Sequence, residues 1–453
     1  MSLPPLGWFS IFRLGLVQTA LGSIVVLTTS TLNRVMVVEL ALPAMIPGAL
    51  VGLHYALQVM RPRMGYGSDV GGRRTPWIIG GMVMLGLGGV IAAIATAWMS
   101  VQPVPAIGLA VIGFLLIGLG VSAAGTSLLV LLAKRVDAAR RPAAATLVWL
   151  MMIAGFAITA ILAGKNLDPF SPQRLVAVAA VVSAIAILVT VLAVAGIEGH
   201  EPAAASGRET NGPAKPRFKA ALIQVWQEPE ARQFTIFVFV SMLAYSAQDL
   251  ILEPFAGSVF SMTPGQSTKL GGIQHAGVFV GMLVVAVSGS VVGGRWFGSL
   301  KAWTVGGCLA SAVALLGMSG AGLVGTSWPL QANVFALGVA NGAFAIAAIA
   351  SMMTLASNGR EQREGVRMGL WGAAQAIAFG IGGFAGTLAS DVAQYLIGTA
   401  STAYACVFAL EAGVFLVSAI LAAQIGPSRE LHLGAKTSAV SAAGNGVLAE
   451  ARD

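Results

Sequence analysis

Twelve long apolar runs are the feature that most limits what this chain can fold into. Each is about 20 residues or longer, the length that an α-helix needs to cross a bilayer. Only 10% of the 453 residues are charged, whereas a soluble domain has about 25%. In lipid, backbone polar groups must be paired within the protein, so such runs predict helices. The sequence therefore predicts an all-α membrane protein with twelve transmembrane helices, near residues 14–32, 43–61, 76–98, 105–132, 143–164, 175–197, 233–258, 266–288, 302–324, 329–355, 368–390 and 399–425.

The basic residues are distributed unequally between the two sides of this bundle. Of the 26 Lys and Arg residues, 22 fall on the side of the N-terminus, and four fall on the other side: Arg34, Lys165, Arg174 and Lys269. Basic loops remain in the cytoplasm, so both termini are predicted to be cytoplasmic. The net charge of +8 follows from this topology and does not indicate nucleic acid as a partner.

The chain also contains an internal repeat. A shift of 222 positions aligns Val70–Arg73 with Val292–Arg295 and Trp149 with Trp371 without a gap. A parallel repeat of six and six helices is typical of the major facilitator fold, which binds ligands between its halves near the midplane. The predicted domains are an N-terminal six-helix half (1–197), a cytoplasmic linker with an interfacial helix (198–232), a C-terminal six-helix half (233–425) and a disordered cytoplasmic tail (426–453).

A glycine-rich basic motif lies between the second and third predicted spans. It resembles the loop 2–3 signature of the major facilitator superfamily, and its position between two spans is the context that such a motif needs. The alternative interpretation is an ordinary basic loop on the cytoplasmic side. The motif residues are Gly65, Asp69, Gly72, Arg73 and Arg74.

Polar residues inside the apolar runs are the candidates for a functional site. Asp249 and Glu253 are four residues apart and therefore share a helix face; such acids in a membrane mark a relay or a binding site. His275, with Gln274 beside it, lies at a depth comparable to that of Asp249, and His54 lies at a matched depth in the first half. No Lys or Arg falls deep in a predicted span, which favours an apolar or neutral ligand.

These residues allow two interpretations. Imidazole is the commonest metal ligand in proteins, so His275 and His54 are candidates to hold the metal of a macrocycle. Alternatively, they are hydrogen-bonded polar residues in helix packing. Asp249 and Glu253 likewise fit a proton relay or pairing with helix dipoles. No nucleophile–base pair or phosphate loop is present, so an enzyme is not predicted.

Four long strings closely resemble the PucC/LhaA family, the bacteriochlorophyll-delivery branch of the major facilitator superfamily. One of them carries the loop 10–11 candidates Arg363, Glu364 and Arg367. The strings are Thr-Leu-Asn-Arg-Val-Met-Val-Val-Glu-Leu (31–40), Ala-Tyr-Ser-Ala-Gln-Asp-Leu-Ile-Leu-Glu-Pro-Phe-Ala-Gly (244–257), Gly-Ile-Gln-His-Ala-Gly-Val (272–278) and Arg-Glu-Gln-Arg-Glu-Gly-Val-Arg-Met-Gly-Leu-Trp-Gly-Ala-Ala-Gln (360–375).

The resemblance implies a light-harvesting complex assembly factor that binds bacteriochlorophyll. From the positions of the polar residues in the spans, the candidates to hold its magnesium are His275, His54 or a bound water. The implied partners are the lipid bilayer, antenna polypeptides and late enzymes of chlorophyll biosynthesis, in the intracytoplasmic photosynthetic membrane of a bacterium. Two alternatives remain open: a proton-coupled transporter of a small hydrophobic solute, and an assembly chaperone without pigment.

Overall fold

A computed structural model describes residues 6–60, 73–137, 140–198, 223, 226–291, 299–358 and 364–425, and in these residues twelve apolar helices follow one another. Proline in the first turn begins several of them, where its missing N–H costs no hydrogen bond. We number the helices α1 (Trp8–Glu39), α2 (Met45–Ala56), α3 (Thr75–Trp98), α4 (Pro103–Arg135), α5 (Arg141–Leu167), α6 (Pro172–Val194), α7 (Pro229–Phe260), α8 (Pro264–Val291), α9 (Leu300–Val324), α10 (Leu330–Asn358), α11 (Glu364–Ile397) and α12 (Ala400–Gln424).

This architecture confirms the predicted fold class. Eleven of the helices in the described part of the chain are long and apolar enough to cross a membrane, and α2 is a shorter apolar helix. A 3₁₀ turn, Leu57–Met60, extends α2 toward the predicted end of the second span. The predicted linker 198–232 and tail 426–453 lie mostly outside the described residues, although Ile223 and Trp226 of the linker are described and exposed.

The first helix differs from its prediction. It was expected to end at residue 32 but continues to Glu39 through two π-helical stretches, Leu27–Thr31 and Val35–Glu39. The apolar run stops at Asn33 and Arg34, yet the helix does not, because both side chains find partners on the other half of the protein. Arg34, expected in the loop after the first span, therefore lies inside α1, five residues from its end, where it is 1% exposed.

The packing of the helices repeats between the two halves. In the first half α1 packs on α5 and α6, α3 on α4 and α6, and α2 on α4; in the second half the helices six positions later pack in the same way. Two further contacts, α2 with α11 and α5 with α8, join the halves and are related by the same repeat. The halves are thus related by a pseudo-two-fold axis.

We call the side that carries the α1–α2, α5–α6, α7–α8 and α11–α12 loops the far face, and the opposite side the termini face. At the far face each half caps a helix of the other. Asp391 of α11 accepts hydrogen bonds from the backbone N–H groups of Ala44 (2.8 Å) and Met45 (2.7 Å), at the start of α2. Asp168, just after α5, accepts from Gly265 N (3.1 Å) and Thr263 Oγ1 (2.8 Å), at the start of α8. A carboxylate at a helix N-terminus satisfies unpaired donors and the helix dipole, so this pair of caps joins the two halves at the far face.

Candidate functional site

Glu253 lies at a seam where α1, α7 and α8 meet. It is 1% exposed, and its carboxylate accepts hydrogen bonds from Ser30 Oγ of α1 (2.7 Å) and Thr268 Oγ1 of α8 (3.2 Å). Thr31 Oγ1 lies 3.1 Å from the same threonine hydroxyl. A buried acid needs such donors to remain in a low-dielectric interior. The seam therefore joins the two halves through one carboxylate.

Pro254 explains a second bond across this seam. A proline inside a helix often kinks or breaks it, but α7 continues through Pro254 to Phe260. Proline has no N–H, so the carbonyl four residues earlier, that of Leu250, loses its helical partner. Asn33 Nδ2 of α1 donates to that carbonyl at 2.5 Å. An asparagine of one half thus pairs the carbonyl that a proline of the other half leaves open.

Arg34 extends the seam to the far face. Its Nη1 pairs with Glu39 Oε1 (2.5 Å), and its Nη2 donates to the Met262 carbonyl (2.5 Å) in the loop between α7 and α8. Gly257 lies next to the guanidinium, and a Cβ at this position would be 3.0 Å from Nη2. The absence of a side chain on Gly257 therefore leaves room for Arg34. Sequence reasoning missed Ser30, Asn33 and Arg34 because they lie at the end of an apolar run, where they look like the edge of a loop.

Gly271 connects Glu253 to His275. A Cβ on Gly271 would lie 2.9 Å from Glu253 Oε1, so only glycine leaves the carboxylate in place. The carbonyl of Gly271 lies 2.8 Å from His275 Nδ1. A carbonyl can only accept, so Nδ1 carries the proton and the Nε2 lone pair is left for a ligand. This is the tautomer that metal binding through Nε2 requires.

The surroundings of His275 come from both halves. The ring is 4% exposed, and the edge of Phe156 of α5 packs on it with a centroid distance of 5.0 Å. Asp249 of α7 lies close enough to act on it electrostatically. Gln274, the preceding residue, is buried with no hydrogen-bond partner for Nε2 among the described residues. The structure thus brings Asp249 close to His275. Glu253 is connected to His275 through Gly271, which contacts both.

His54 lies in a different environment. Its Nε2 is 3.1 Å from Gln58 Nε2 one helical turn later, so whichever way that amide is oriented this ring nitrogen is engaged. Gly118 of α4 lies against the His54 carbonyl, as Gly338 of α10 lies against the Gln274 carbonyl. In the repeat His54 therefore corresponds to Gln274, whereas the shift of 222 positions placed it one position from His275. The two histidines do not share a site.

The loop 2–3 motif is described only at its end. Arg73 is exposed, and Arg74 pairs with Glu198 (Nη1–Oε1 3.8 Å), which follows α6. The same carboxylate accepts from the backbone N–H groups of Arg74 and, at 2.7 Å, Thr75, and so caps α3. Gly65, Asp69 and Gly72 lie outside the described residues, so their role stays a prediction.

The loop 10–11 candidates show one strong contact. Arg367 in the first turns of α11 is 1% exposed and holds Glu228, at the start of α7, with Nε–Oε2 3.0 Å and Nη2–Oε1 2.7 Å. Paired bonds of this kind are stronger than neutral ones. Arg363 lies outside the described residues, as does the side chain of Glu364. Arg367 joins two helices of the second half and is distant in the chain from the seam.

A cavity of about 630 Å³ opens at the far face beside the seam. Its lining includes Arg34 and Glu39 from α1, Asp168 and Phe170 from the α5–α6 loop, and Thr263. None of the candidate site residues chosen from the sequence lines it. Sequence reasoning missed Asp168 because a single acid in a loop gives no signal of the helix that it caps.

Comparison with known proteins gives a family and a fold. The family model described as PUCC protein matches residues 31–429. The "Bacteriochlorophyll synthase 44.5 kDa chain" of Rhodobacter capsulatus is 50% identical over 429 residues, covering 94% of this chain and 97% of that protein. "Protein PucC" of Cereibacter sphaeroides is 28% identical over 440 residues, covering 91% and 90%.

Solved structures agree with the architecture. The peptide transporter POT, in complex with sulfate, superposes with a TM-score of 0.67 at 15% identity, covering 96% of this chain and 98% of that one. The nucleoside transporter NupG gives 0.63 at 15% identity, covering 93% and 100%. At this identity the likeness establishes the twelve-helix transporter fold alone.

Proposed function

The chain belongs to the PucC family, and from that premise we propose that it binds bacteriochlorophyll in the membrane and delivers it to light-harvesting antenna polypeptides. It is a multi-pass membrane protein, and its relatives' names support a role in photosynthetic complexes or pigment biosynthesis. Late enzymes of pigment synthesis fit as donors of the pigment, and antenna polypeptides fit as acceptors. The intracytoplasmic photosynthetic membrane fits as the site of this transfer.

The single observation that carries the proposal is the tautomer of His275, which its hydrogen bond to Gly271 fixes. Its Nδ1 is committed to the Gly271 carbonyl, and its Nε2 has a lone pair suited to the magnesium of a chlorin. The Gly271 carbonyl orients the ring, as backbone carbonyls do for metal-bound histidines, and Asp249 acts on the imidazole only electrostatically. The magnesium of the pigment would supply the Lewis acid, while the chain supplies the nitrogen and an apolar wall that includes Phe156.

The seam also suits delivery because it is shared between the halves. Glu253 takes one hydroxyl from α1 and one from α8, and through Gly271 it lies next to the turn that orients His275. A movement of the halves that breaks the Ser30 bond therefore acts on the helix that carries the ligand. We propose that this link couples release of pigment to opening of the seam.

The absorption spectrum of the purified protein tests the proposal. Protein extracted gently from pigmented membranes should carry tetrapyrrole in stoichiometric amount and should transfer it to antenna polypeptides added in detergent. Colourless protein from a pigment-rich host would contradict pigment binding and favour the chaperone. Glu253, a buried acid between the halves, favours the alternative of a proton-coupled transporter. That alternative predicts that the protein carries no pigment and that a proton gradient drives uptake of a solute.

The name of one relative raises a separate question, because it designates a synthase chain. We propose a carrier and not a catalyst. The purified chain given pigment precursors alone should form no product, and it should raise the yield only when the biosynthetic enzymes are present. Turnover by the chain alone would contradict this assignment.

The orientation in the membrane is a further prediction. The termini face carries the excess of basic residues, so we expect it to be cytoplasmic. Reporter fusions after Arg141 and within residues 203–215 should be active only as cytoplasmic reporters, and a fusion near Gln266, at the far face, only as a periplasmic one. An inversion at any of the three positions would contradict the proposed orientation.

A further inference from the structure

Three buried polar side chains of the second half lie at one depth, and each has at least one polar atom without a partner among the described residues. Glu411 of α12 is 4% exposed, and neither carboxylate oxygen has a hydrogen bond in the described part of the chain. Gln248 of α7 is 1% exposed, and both of its amide atoms are unpaired. Asn341 of α10 is fully buried; its Oδ1 accepts from Ser311 Oγ of α9 (2.8 Å), and its Nδ2 has no partner.

Helix geometry places the three at one level. Glu411 and Asn341 are each eleven residues from the far-face start of their helices, and Gln248 is twelve residues from the far-face end of α7. At 1.5 Å per residue these depths are all about 17 Å. Half a bilayer core is about 15 Å, so the three residues lie near the midplane.

Aromatic contacts show that the three side chains are on facing sides of their helices. Phe408, one turn from Glu411, packs on Phe255 of α7 at 5.0 Å between centroids, and Gln248 is two turns from Phe255 on the same face. Phe415, one turn beyond Glu411, packs on Phe344 of α10 at 5.6 Å, and Asn341 is one turn from Phe344. The interior between α7, α10 and α12 thus receives all three polar side chains.

These groups complement one another but do not bond directly. Gln248 offers a donor and an acceptor, Asn341 a donor, and Glu411 two oxygens. Buried polar atoms are nearly always paired by protein or by water, and a water molecule with several polar partners is stable inside a protein. No Lys or Arg pairs with Glu411 among the described residues, and a lone carboxylate near mid-membrane is costly unless a proton neutralises it.

We propose that Gln248, Asn341 and Glu411 enclose a hydrated proton-binding site in the second half, separate from the seam that holds His275. The proton resides on a Glu411 oxygen and exchanges with solvent through water that Gln248 and Asn341 hold. The sequence of α10 contains no titratable residue. No titratable side chain described on α12 or on the helices packed against it hydrogen-bonds to Glu411. These side chains are Glu230, Arg232, Tyr245, Asp249 and Glu253 of α7, Lys301 and Cys308 of α9, Arg367, Asp391 and Tyr395 of α11, and Tyr404 and Cys406 of α12.

Infrared difference spectroscopy of the full-length protein in lipid nanodiscs tests this site. The wild type should show a protonated-carboxyl C=O band that is lost in Glu411→Gln and kept in Glu253→Gln, the matched control for a buried acid that already has hydroxyl partners. The band should shift within minutes of transfer to D₂O, because water reaches the site. Asn341→Leu should keep the band but change its frequency or slow its exchange.

Four results would overturn the proposal. A spectrum unchanged in Glu411→Gln means that the acid is ionised. A band that resists D₂O for hours means that the site is dry. A wild type that lacks the protonated band and is stabilised by sodium chloride, but not by choline chloride, means that a metal cation occupies the site. Should Glu411→Gln fail to insert, a band insensitive to both Asn341→Leu and Gln248→Leu would overturn the proposal equally.

Discussion

Replacing His275 with Leu should leave the protein in the membrane and lower its pigment occupancy by well over 10-fold. Leucine keeps α8 apolar, so insertion should not change. The substitution removes the Nε2 lone pair, and with it the ligand that the Gly271 carbonyl orients. Loss of a residue that only supports a metal ligand costs about 10–100-fold in metal affinity, and loss of the ligand itself should cost at least that much. Pigment per protein, read from the absorption spectrum, measures the effect.

Two further variants show whether the loss of pigment is specific to the ligand nitrogen of His275. Asp249→Asn should lower occupancy less than His275→Leu, because it removes only a nearby charge and leaves both the ligand and the Gly271 carbonyl that orients it. His54→Leu is the matched control: it removes a buried histidine whose Nε2 is engaged by Gln58, so occupancy should stay near that of the wild type.

The rival interpretation expects another order. If Asp249 is a proton relay, Asp249→Asn abolishes activity while His275→Leu is tolerated. Equal losses in His275→Leu and His54→Leu would point to general destabilisation of the bundle. Full occupancy in His275→Leu would show that another group holds the pigment.

The helices and their repeat could be predicted because they follow from local rules. A run of about 20 apolar residues can only be a helix in lipid, and basic residues mark the loops. The depth match between Asp249 and His275 followed from counting residues along adjacent helices. These arguments need no knowledge of which helix packs on which.

The contacts across the seam could not be predicted, because they depend on that packing. In the sequence Asn33 is only a polar residue at the end of a span. In the structure it donates to the Leu250 carbonyl, which Pro254 leaves without a helical partner. In the sequence Asp168 is an acid in a loop and Asp391 an acid near a helix end. In the structure Asp168 caps the start of α8 and Asp391 caps the start of α2. The sequence did contain one signal: a proline inside a span leaves a carbonyl that some donor must pair.

Removing both caps at the far face should open that face about 30-fold more often. The change is Asp168→Ala together with Asp391→Ala. Each carboxylate bonds to the N-terminus of a helix in the other half, so these bonds exist only while the halves are closed together. A helix cap is worth about 1 kcal/mol, and two related caps are worth about 2 kcal/mol, or roughly 30-fold in an equilibrium between closed and open states.

Cysteine labelling at Thr387 measures this opening. Thr387 is fully buried, and its side chain packs on Gly48 of α2, so Thr387→Cys should react with a hydrophilic maleimide only when the far face opens. The background lacks the native thiols through Cys308→Ala and Cys406→Ala. In it the double variant should label about 30-fold faster, and each single variant about 5-fold faster if the caps are equivalent. Asp137→Ala, which removes an exposed acid paired with Arg140 on the termini face, is the control and should not change the rate.

The comparison of the two single variants is the sharper part of this test. The pseudo-two-fold axis relates the α2–α11 contact to the α5–α8 contact, so one opening movement must break both caps. The two single variants should therefore raise the labelling rate by similar factors, even though only Asp391 lies on the labelled helix. An effect of Asp391→Ala alone would mean that α11 loosens locally and that the halves stay together. An unchanged rate in the double variant would mean that the glycine contacts along these helices, such as that of Gly164 with Gly265, hold the face closed without the caps.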